Sequence, residues 1–210
     1  MRAATLAAVS GERETTWDRA APRYARQERL ERQAIGRALD LAAPAADDVL
    51  LDVATGTGLV LRELARRASR PASAVGLDAS AAMIARVGAL PQGWRTQLGN
   101  ATALPFADGS FDVVIGAYLL HVLDPTDRLA SLAELHRVAR PGARLVVVTT
   151  WAARPLSRAL LSGLARGAPA LAGLRPLDPR PEMPRAGWIL ERTAMLHQGY
   201  PSLVVLAGRS

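Results

Sequence analysis

The sequence predicts a doubly wound α/β fold, a mostly parallel sheet with helices on both faces. Three observations carry that reading. The apolar run Val49 to Leu51 reads as a buried strand, ends at Asp52 and breaks into Thr55-Gly56-Thr57-Gly58. Leu59, Leu61, Leu64, Ala65 and Ala68 then return at helical spacing, and strand, glycine turn and helix in that order build one half of such a sheet. A second apolar run, Ala74 to Leu77, is closed by an acidic residue, Asp78, about 20 residues past the turn. Further strand-like runs then alternate with helix-like segments along the chain.

The elements follow in order. Residues 1–11 are expected to be a disordered start, with a truncated secretory leader as the alternative. Residues 12–43 read as N-terminal cap helices interrupted at Pro22, with Ile35, Leu39 and Leu41 as a packing face, and residues 48–208 as the core. Ser80 is placed to cap a helix over Ala81 to Val87. Trp94 to Leu98 reads as a third strand and Phe111 to Ala117 as a fourth, preceded by a turn at Asp108-Gly109. Pro125 opens a helix that the pair Pro141-Gly142 is expected to stop, and Arg144 to Thr150 is a β-branched buried strand. Leu156, Leu160, Leu161 and Leu164 share one helical face, which reads as core, with a lipid-facing surface as the alternative. Leu174 to Pro184 reads as a loop or short helix. Trp188 to Leu196 and Pro201 to Ala207 read as two strands of a hairpin joined by His197 to Tyr200.

Composition narrows the field. At 210 residues and 22.3 kDa, the chain 1–210 is most simply one domain with its own core. No apolar run approaches the ~20 residues of a membrane span. There are no cysteines, which removes disulfides, thiolate metal sites and cysteine nucleophiles and points to the cytoplasm. The net charge of +7 comes entirely from arginine, scattered along the chain with no run of five. That pattern argues for coding bias and against a nucleic-acid partner. The oligomeric state is not readable.

Two ligand classes use a strand–glycine–helix turn followed by an acidic residue. A dinucleotide site wants G-x-G-x-x-G, whose third glycine lets helix and strand pack closely. Gly56 and Gly58 fit that pattern, but Leu61 stands at the third position. The D-x-A-T-G-T-G of Asp52 to Gly58, followed by the V-G-L-D-A-S of Val75 to Ser80, resembles the first two motifs of the class I (Rossmann-like) S-adenosylmethionine (SAM) methyltransferases of small-molecule type. The run from Gly99 to Val114 resembles that family's G-D-A-x-x-L-P-F-x-D-x-S-F-D-V-V almost position by position, with Asn100 in place of Asp. Trp17-Asp18-Arg19-Ala20-Ala21-Pro22-Arg23-Tyr24 resembles the family's W/Y-D-x-x-A-x-x-Y element, and Arg140 to Val148 its approach to the fifth strand. The resemblance covers roughly residues 15 to 208.

It implies a seven-stranded sheet with a reversed last strand, and SAM as cofactor. Gly56, Gly58, Thr55 and the backbone near Ala54 would then hold the methionine part of the donor, with Asp52 ordering the loop. Asp78, followed by Ala79, would accept from the ribose hydroxyls. Met83 would pack on the adenine. Asn100 and Ala101 would hydrogen-bond its edge, since an amide oxygen still accepts from an exocyclic amine. Methyl transfer needs alignment and exclusion of water, and a base only where the acceptor must lose a proton. His121 is the best candidate base because imidazole titrates near neutrality, with packing as the alternative role. Tyr118 and Tyr24 are the other candidates at the acceptor. No histidine or carboxylate pair has metal-ligand spacing. An Asn/Asp-Pro-Pro-Tyr element, as in enzymes that methylate nucleobase amines, is absent after the fourth strand.

The expected function is SAM-dependent methylation of a small, apolar or amphipathic molecule such as a quinone, lipid or natural product. A weak contact with a membrane surface is compatible with it. The alternatives are an NAD-dependent oxidoreductase and a non-catalytic SAM-binding protein.

Overall fold

The computed structural model describes residues 25–151, 175–197 and 201–210. Helix α1 (Ala25–Ala42) leads to β1 (Val49–Val53), α2 (Leu59–Ala65), β2 (Ser73–Asp78), the single turn α3 (Ala81–Ile84), β3 (Trp94–Leu98) and β4 (Phe111–Ala117). Then come α4 (Pro125–Val138), β5 (Ala139–Thr150), β6 (Trp188–Leu196) and β7 (Ser202–Arg209). The strands form one seven-stranded sheet in the order β3-β2-β1-β4-β5-β7-β6. β1 to β5 pair in parallel, and β7 runs antiparallel to β5 and β6. This is the expected architecture, including the reversed last strand. The strand order reverses between β1 and β4, where open α/β sheets bind ligands.

Side chains alternate across the sheet, so each strand feeds two cores. Leu51, Val53, Val75, Leu77, Val114, Leu145 and Val147 face α4, whose Leu132 and Leu135 cover them. Leu50, Ala74, Val113, Ile115, Val146 and Val148 face the other way, under Ile35, Ala38 and Leu39 of α1 and Leu61 and Leu64 of α2. Burial on both faces is why these strands read as near-continuous apolar runs.

Most element boundaries follow local chemistry. Asp124 caps α4 by accepting from the Asp127 N–H at 2.9 Å, and Pro125 sits in its first turn. Ser80 caps α3 by accepting from the Met83 N–H at 3.1 Å. Two expectations need correction. α3 ends at Ile84 rather than Val87, because the N–H groups of Arg86 and Val87 bond three residues back, to Met83 and Ile84. α4 ends at Val138 rather than at Pro141-Gly142. Ala139 already pairs with Phe111 of β4, and β5 runs through Pro141-Gly142 with an irregularity opposite Phe111 to Val113. The hairpin strands stand at 188–196 and 202–209, and 198–200 lie outside the described residues. So do the Trp17 to Tyr24 element and the leucine face of 156–164.

Candidate active site

A cavity of about 150 Å³ opens at the carboxyl ends of the four central strands. Ala54 and Gly56 contribute from the turn after β1, Asp78 and Ala79 from the end of β2, Gly99, Asn100 and Ala101 from beyond β3, and Ala117 and Tyr118 from the end of β4. Met83 of α3 forms one wall.

The turn after β1 is held in an uncommon backbone shape. Ala54, Gly56 and Gly58 have φ of 62°, 57° and 85°. Ala54 is the costly member, since residues with a Cβ seldom adopt this region. The turn is tied to β2: Thr55 donates its N–H to the Leu77 carbonyl at 3.0 Å, and Gly56 donates its N–H to Asp78 Oδ2 at 2.8 Å. Close approach dictates Gly76, where a Cβ would lie 2.7 Å from Thr55 Oγ1 and 2.8 Å from Leu61 Cδ1. Gly58 turns its missing side chain toward Val87 Cγ1, at 3.0 Å, and does not line the cavity.

Two carboxylates flank this turn. Asp78 borders the cavity, with Oδ2 on the Gly56 N–H and Oδ1 accepting from the Ser80 N–H at 2.8 Å. Asp52 lies behind the turn, fully buried. Its Oδ2 accepts from Thr55 Oγ1 at 2.6 Å, and its Oδ1 has no partner among the described residues. Burial pushes its carboxyl up to about 7; the Thr55 hydrogen bond opposes that and the Asp78 charge adds to it.

The segment after β3 is fixed from α4. Glu134 accepts from the Leu104 N–H at 2.7 Å, while Arg137 donates to the carbonyls of Leu104 and Phe106 at 2.9 and 2.8 Å. Arg137 also pairs with Asp108 at 2.7 Å. The Arg137 hydrogen bond, more than any other effect, holds the Glu134 carboxyl below its usual range. Asn100 Oδ1 accepts from the Thr102 N–H at 3.0 Å, and Asn100 lines the cavity.

Beyond β4 the wall turns apolar. Leu119, Val122 and Leu123 line it, and sequence reasoning missed all three; their signal was the apolar run Leu119 to Leu123 at a strand's carboxyl end. Tyr118 has φ of 56°, donates its N–H to the Val148 carbonyl at 2.7 Å, and shares a 2.7 Å hydrogen bond between its hydroxyl and Ser202 Oγ. His121 sits in a 3-10 turn, Leu120–Val122, and is 4% exposed. It does not line the cavity, although Leu119 and Val122 do. Its ring stacks edge-on against Tyr118 with centroids 5.8 Å apart, and its Nδ1 has no partner among the described residues. Burial, helped by the Arg175 charge, pushes its pKa down to about 3, so it is neutral where the sequence reading expected titration.

Seven of the ten expected donor residues therefore line one cavity: Ala54, Gly56, Asp78, Ala79, Met83, Asn100 and Ala101. Asp52, Thr55 and Gly58 form the layer behind it. Tyr118 joins the lining, and Tyr24 lies outside the described residues.

Comparison with known proteins gives this geometry its family. Residues 50–142 match the family described as a methyltransferase domain. Over that stretch the chain is similar to the class I, SAM-dependent methyltransferases. Over 116 residues it is 40% identical to the ubiquinone/menaquinone biosynthesis C-methyltransferase UbiE of Dinoroseobacter shibae, covering 52% of this chain and 45% of that one. It is 42% identical over 116 residues to the demethylmenaquinone methyltransferase of Thermus thermophilus, covering 53% and 51%. The chain thus spans about half the length of these curated relatives. A chain from the complex of the Haloferax volcanii Trm112 methyltransferase activator with a methyltransferase superposes at a TM-score of 0.76, covering 94% of this chain and 99% of that one at 18% identity. That last likeness shows the fold alone. Nothing in these comparisons favours the dehydrogenase reading.

The matched region of the methyltransferase domain runs from β1 to the start of β5, and so contains every expected donor residue. The residues fit the SAM they are expected to hold. An acidic group, Asp78, lines the cavity at the end of β2, where a ribose acceptor is expected. Apolar Met83 and Leu77 offer a face for adenine, and a buried carboxylate with a free oxygen lies behind the turn. Among the described residues, no helix is long and apolar enough to cross a membrane.

Proposed function

We propose that this protein transfers the methyl group of SAM to a small, apolar acceptor of the quinone type. The observation that carries this is the polarity split of one cavity: Asp78 and the glycine turn at one end, Leu119, Val122 and Leu123 at the other. The names of the curated relatives, which describe ubiquinone and menaquinone methylation, support the acceptor class. When bound, SAM supplies a methyl group already activated on a sulfonium.

The chain's own residues would bind and orient. Gly56 and the backbone of Ala54 and Thr55 would hold the methionine end. Asp52 would order the turn through its hydrogen bond from Thr55, and Gly58 would give it its backbone bend. Asp78 and Ala79 would hold the ribose, and Met83, Asn100 and Ala101 the adenine. Tyr118, with Tyr24 and His121 as further candidates, would border the acceptor. A neutral imidazole whose conjugate acid is so strong is a weak proton acceptor, so alignment and exclusion of water would carry most of the rate. The apolar wall supports the second of these.

The test is methyl transfer from radiolabelled SAM to a short-chain demethylmenaquinone analogue. Label entering the organic phase is the expected result. SAM binding without transfer to this or a panel of apolar phenols would replace the proposal with a non-catalytic SAM-binding protein.

A further inference from the structure

Glu28 is a carboxylate on the inner side of an amphipathic helix. α1 buries Ala34, Ile35, Ala38, Leu39 and Ala42 against the sheet. Helical spacing places Glu28 on that same face, two turns before Ile35. Its side chain is 13% exposed and meets the donor turn. Glu28 Oε1 accepts from the Thr57 hydroxyl and from Arg62 Nη2, the latter at 2.8 Å. Arg62 Nη1 donates to the Thr57 carbonyl, which closes the ring. Thr57 is thus gripped by hydroxyl and carbonyl between two left-handed glycines, Gly56 and Gly58.

We propose that Glu28, through Thr57 and Arg62, is a positioning residue for the SAM-binding turn. This rests on the donor assignment above. The turn needs such a hold. Three of its five residues from Ala54 to Gly58 are left-handed, a shape that persists only where surroundings enforce it. β2 ties it from one side through Leu77 and Asp78. The Glu28 ring ties it from the other. Neither Glu28 nor Thr57 lines the cavity, so they act on the donor only through the turn's shape. The helix that carries Glu28 is anchored independently by its apolar face. Loss of Glu28 therefore frees the turn and leaves the helix docked.

The test is calorimetric binding of S-adenosylhomocysteine and SAM to the full chain and its variants, with melting curves alongside. Glu28→Ala and Thr57→Val should each weaken binding about tenfold, the scale of one hydrogen bond to a charged group. Thr57→Ser, which keeps the hydroxyl, should stay within about twofold of wild type, and Glu28→Gln should fall between. The double variant Glu28→Ala/Thr57→Val should bind no more weakly than the worse single one, because both break one ring. Unchanged affinities in folded variants overturn the proposal, as does strict additivity. So does a loss in Thr57→Ser as large as in Thr57→Val, which marks mere packing. If Glu28→Ala fails to fold, Thr57→Val against Thr57→Ser decides alone. A wild type that binds neither ligand overturns the donor assignment itself and this proposal with it; wild-type binding with unaffected variants overturns this proposal only.

Discussion

Replacing Asp52 with asparagine removes a buried charge while keeping a carbonyl oxygen for the Thr55 hydroxyl. The consequence for stability depends on pH, and its sign follows from the structure. Burial raises the folded-state pKa of Asp52 from 3.8 to about 7. The folded protein then holds this proton more tightly than the unfolded chain does. The group's contribution to stability is complete below about pH 4, declines as pH rises through the interval to about 7, and is flat above it. A gap of about three units corresponds to about 4 kcal/mol, lost at up to about 1.4 kcal/mol per pH unit. The asparagine side chain cannot ionise and escapes this loss. Urea denaturation of wild type and Asp52→Asn at intervals from pH 4.5 to 8.5 measures the difference directly, and other titrating groups cancel in it. The variant should gain on wild type steadily up to about pH 7, after which the gap should level. A gap that is constant across the series, or that narrows as pH rises, would refute the reasoning. It would mean that water or a charge compensates the buried carboxylate.

Three other outcomes are expected. Asp78→Ala removes the acceptor of the Gly56 and Ser80 N–H groups together with the proposed ribose acceptor, and should weaken SAM binding by at least the roughly 1.5–3 kcal/mol of a hydrogen bond to a charged group; unchanged calorimetric affinity in a folded variant would count against it. Gly58→Ala places a Cβ at φ of 85° and 3.0 Å from Val87, so the ligand-free protein should lose about 1–2 kcal/mol from the left-handed backbone alone, and an unaltered melting curve would contradict that. His121 is held neutral by burial, so any step near neutral pH in the pH–rate profile of methyl transfer should persist in His121→Gln; a step that vanishes in that variant would restore the histidine as a titrating base.

Much of the cavity lining was legible because it is built on local backbone shape. A strand end, a glycine turn and a following carboxylate are contiguous in sequence, so Ala54, Gly56, Asp78, Ala79, Asn100 and Ala101 could be placed by motif and all line the cavity. Gly56 and Gly58 look equivalent in sequence, as a glycine pair. Only the backbone direction shows that one glycine faces the cavity and the other faces Val87. The acceptor wall was less legible, since Leu119, Val122 and Leu123 are indistinguishable by type from the core residues Leu120 and Leu132. His121 illustrates the same limit from the polar side. Its position beyond β4 was right, but in a 3-10 turn residues one apart point in different directions. Leu119 and Val122, three apart, face the cavity, while His121 packs inward on Tyr118. The hold on the donor turn by Glu28 and on the Leu104 to Asp108 segment by Arg137 joins residues 29 and 31 positions apart, beyond any local pattern.

These holds suggest where this site invests its stability. Among the described residues, the cavity wall offers no charged side chain except Asp78, and His121 beside it is neutral and turned away. What the fold supplies in quantity is fixed geometry: a left-handed turn tied to β2 on one side and α1 on the other, Tyr118 held by Val148 and Ser202, and a loop after β3 pinned by Arg137. Each fixed position carries a cost, in the φ of 62° at Ala54, the φ of 56° at Tyr118 and the buried carboxylate of Asp52. A reaction whose donor is already activated gains from such rigidity, since orientation alone can supply about 7–11 kcal/mol of a two-body barrier. A reaction that needed a proton moved early would gain little from it. On the proposed function, the strained backbone therefore takes the part that acid–base side chains play elsewhere. Mutations that loosen the turn should then lower turnover further than any single replacement at His121.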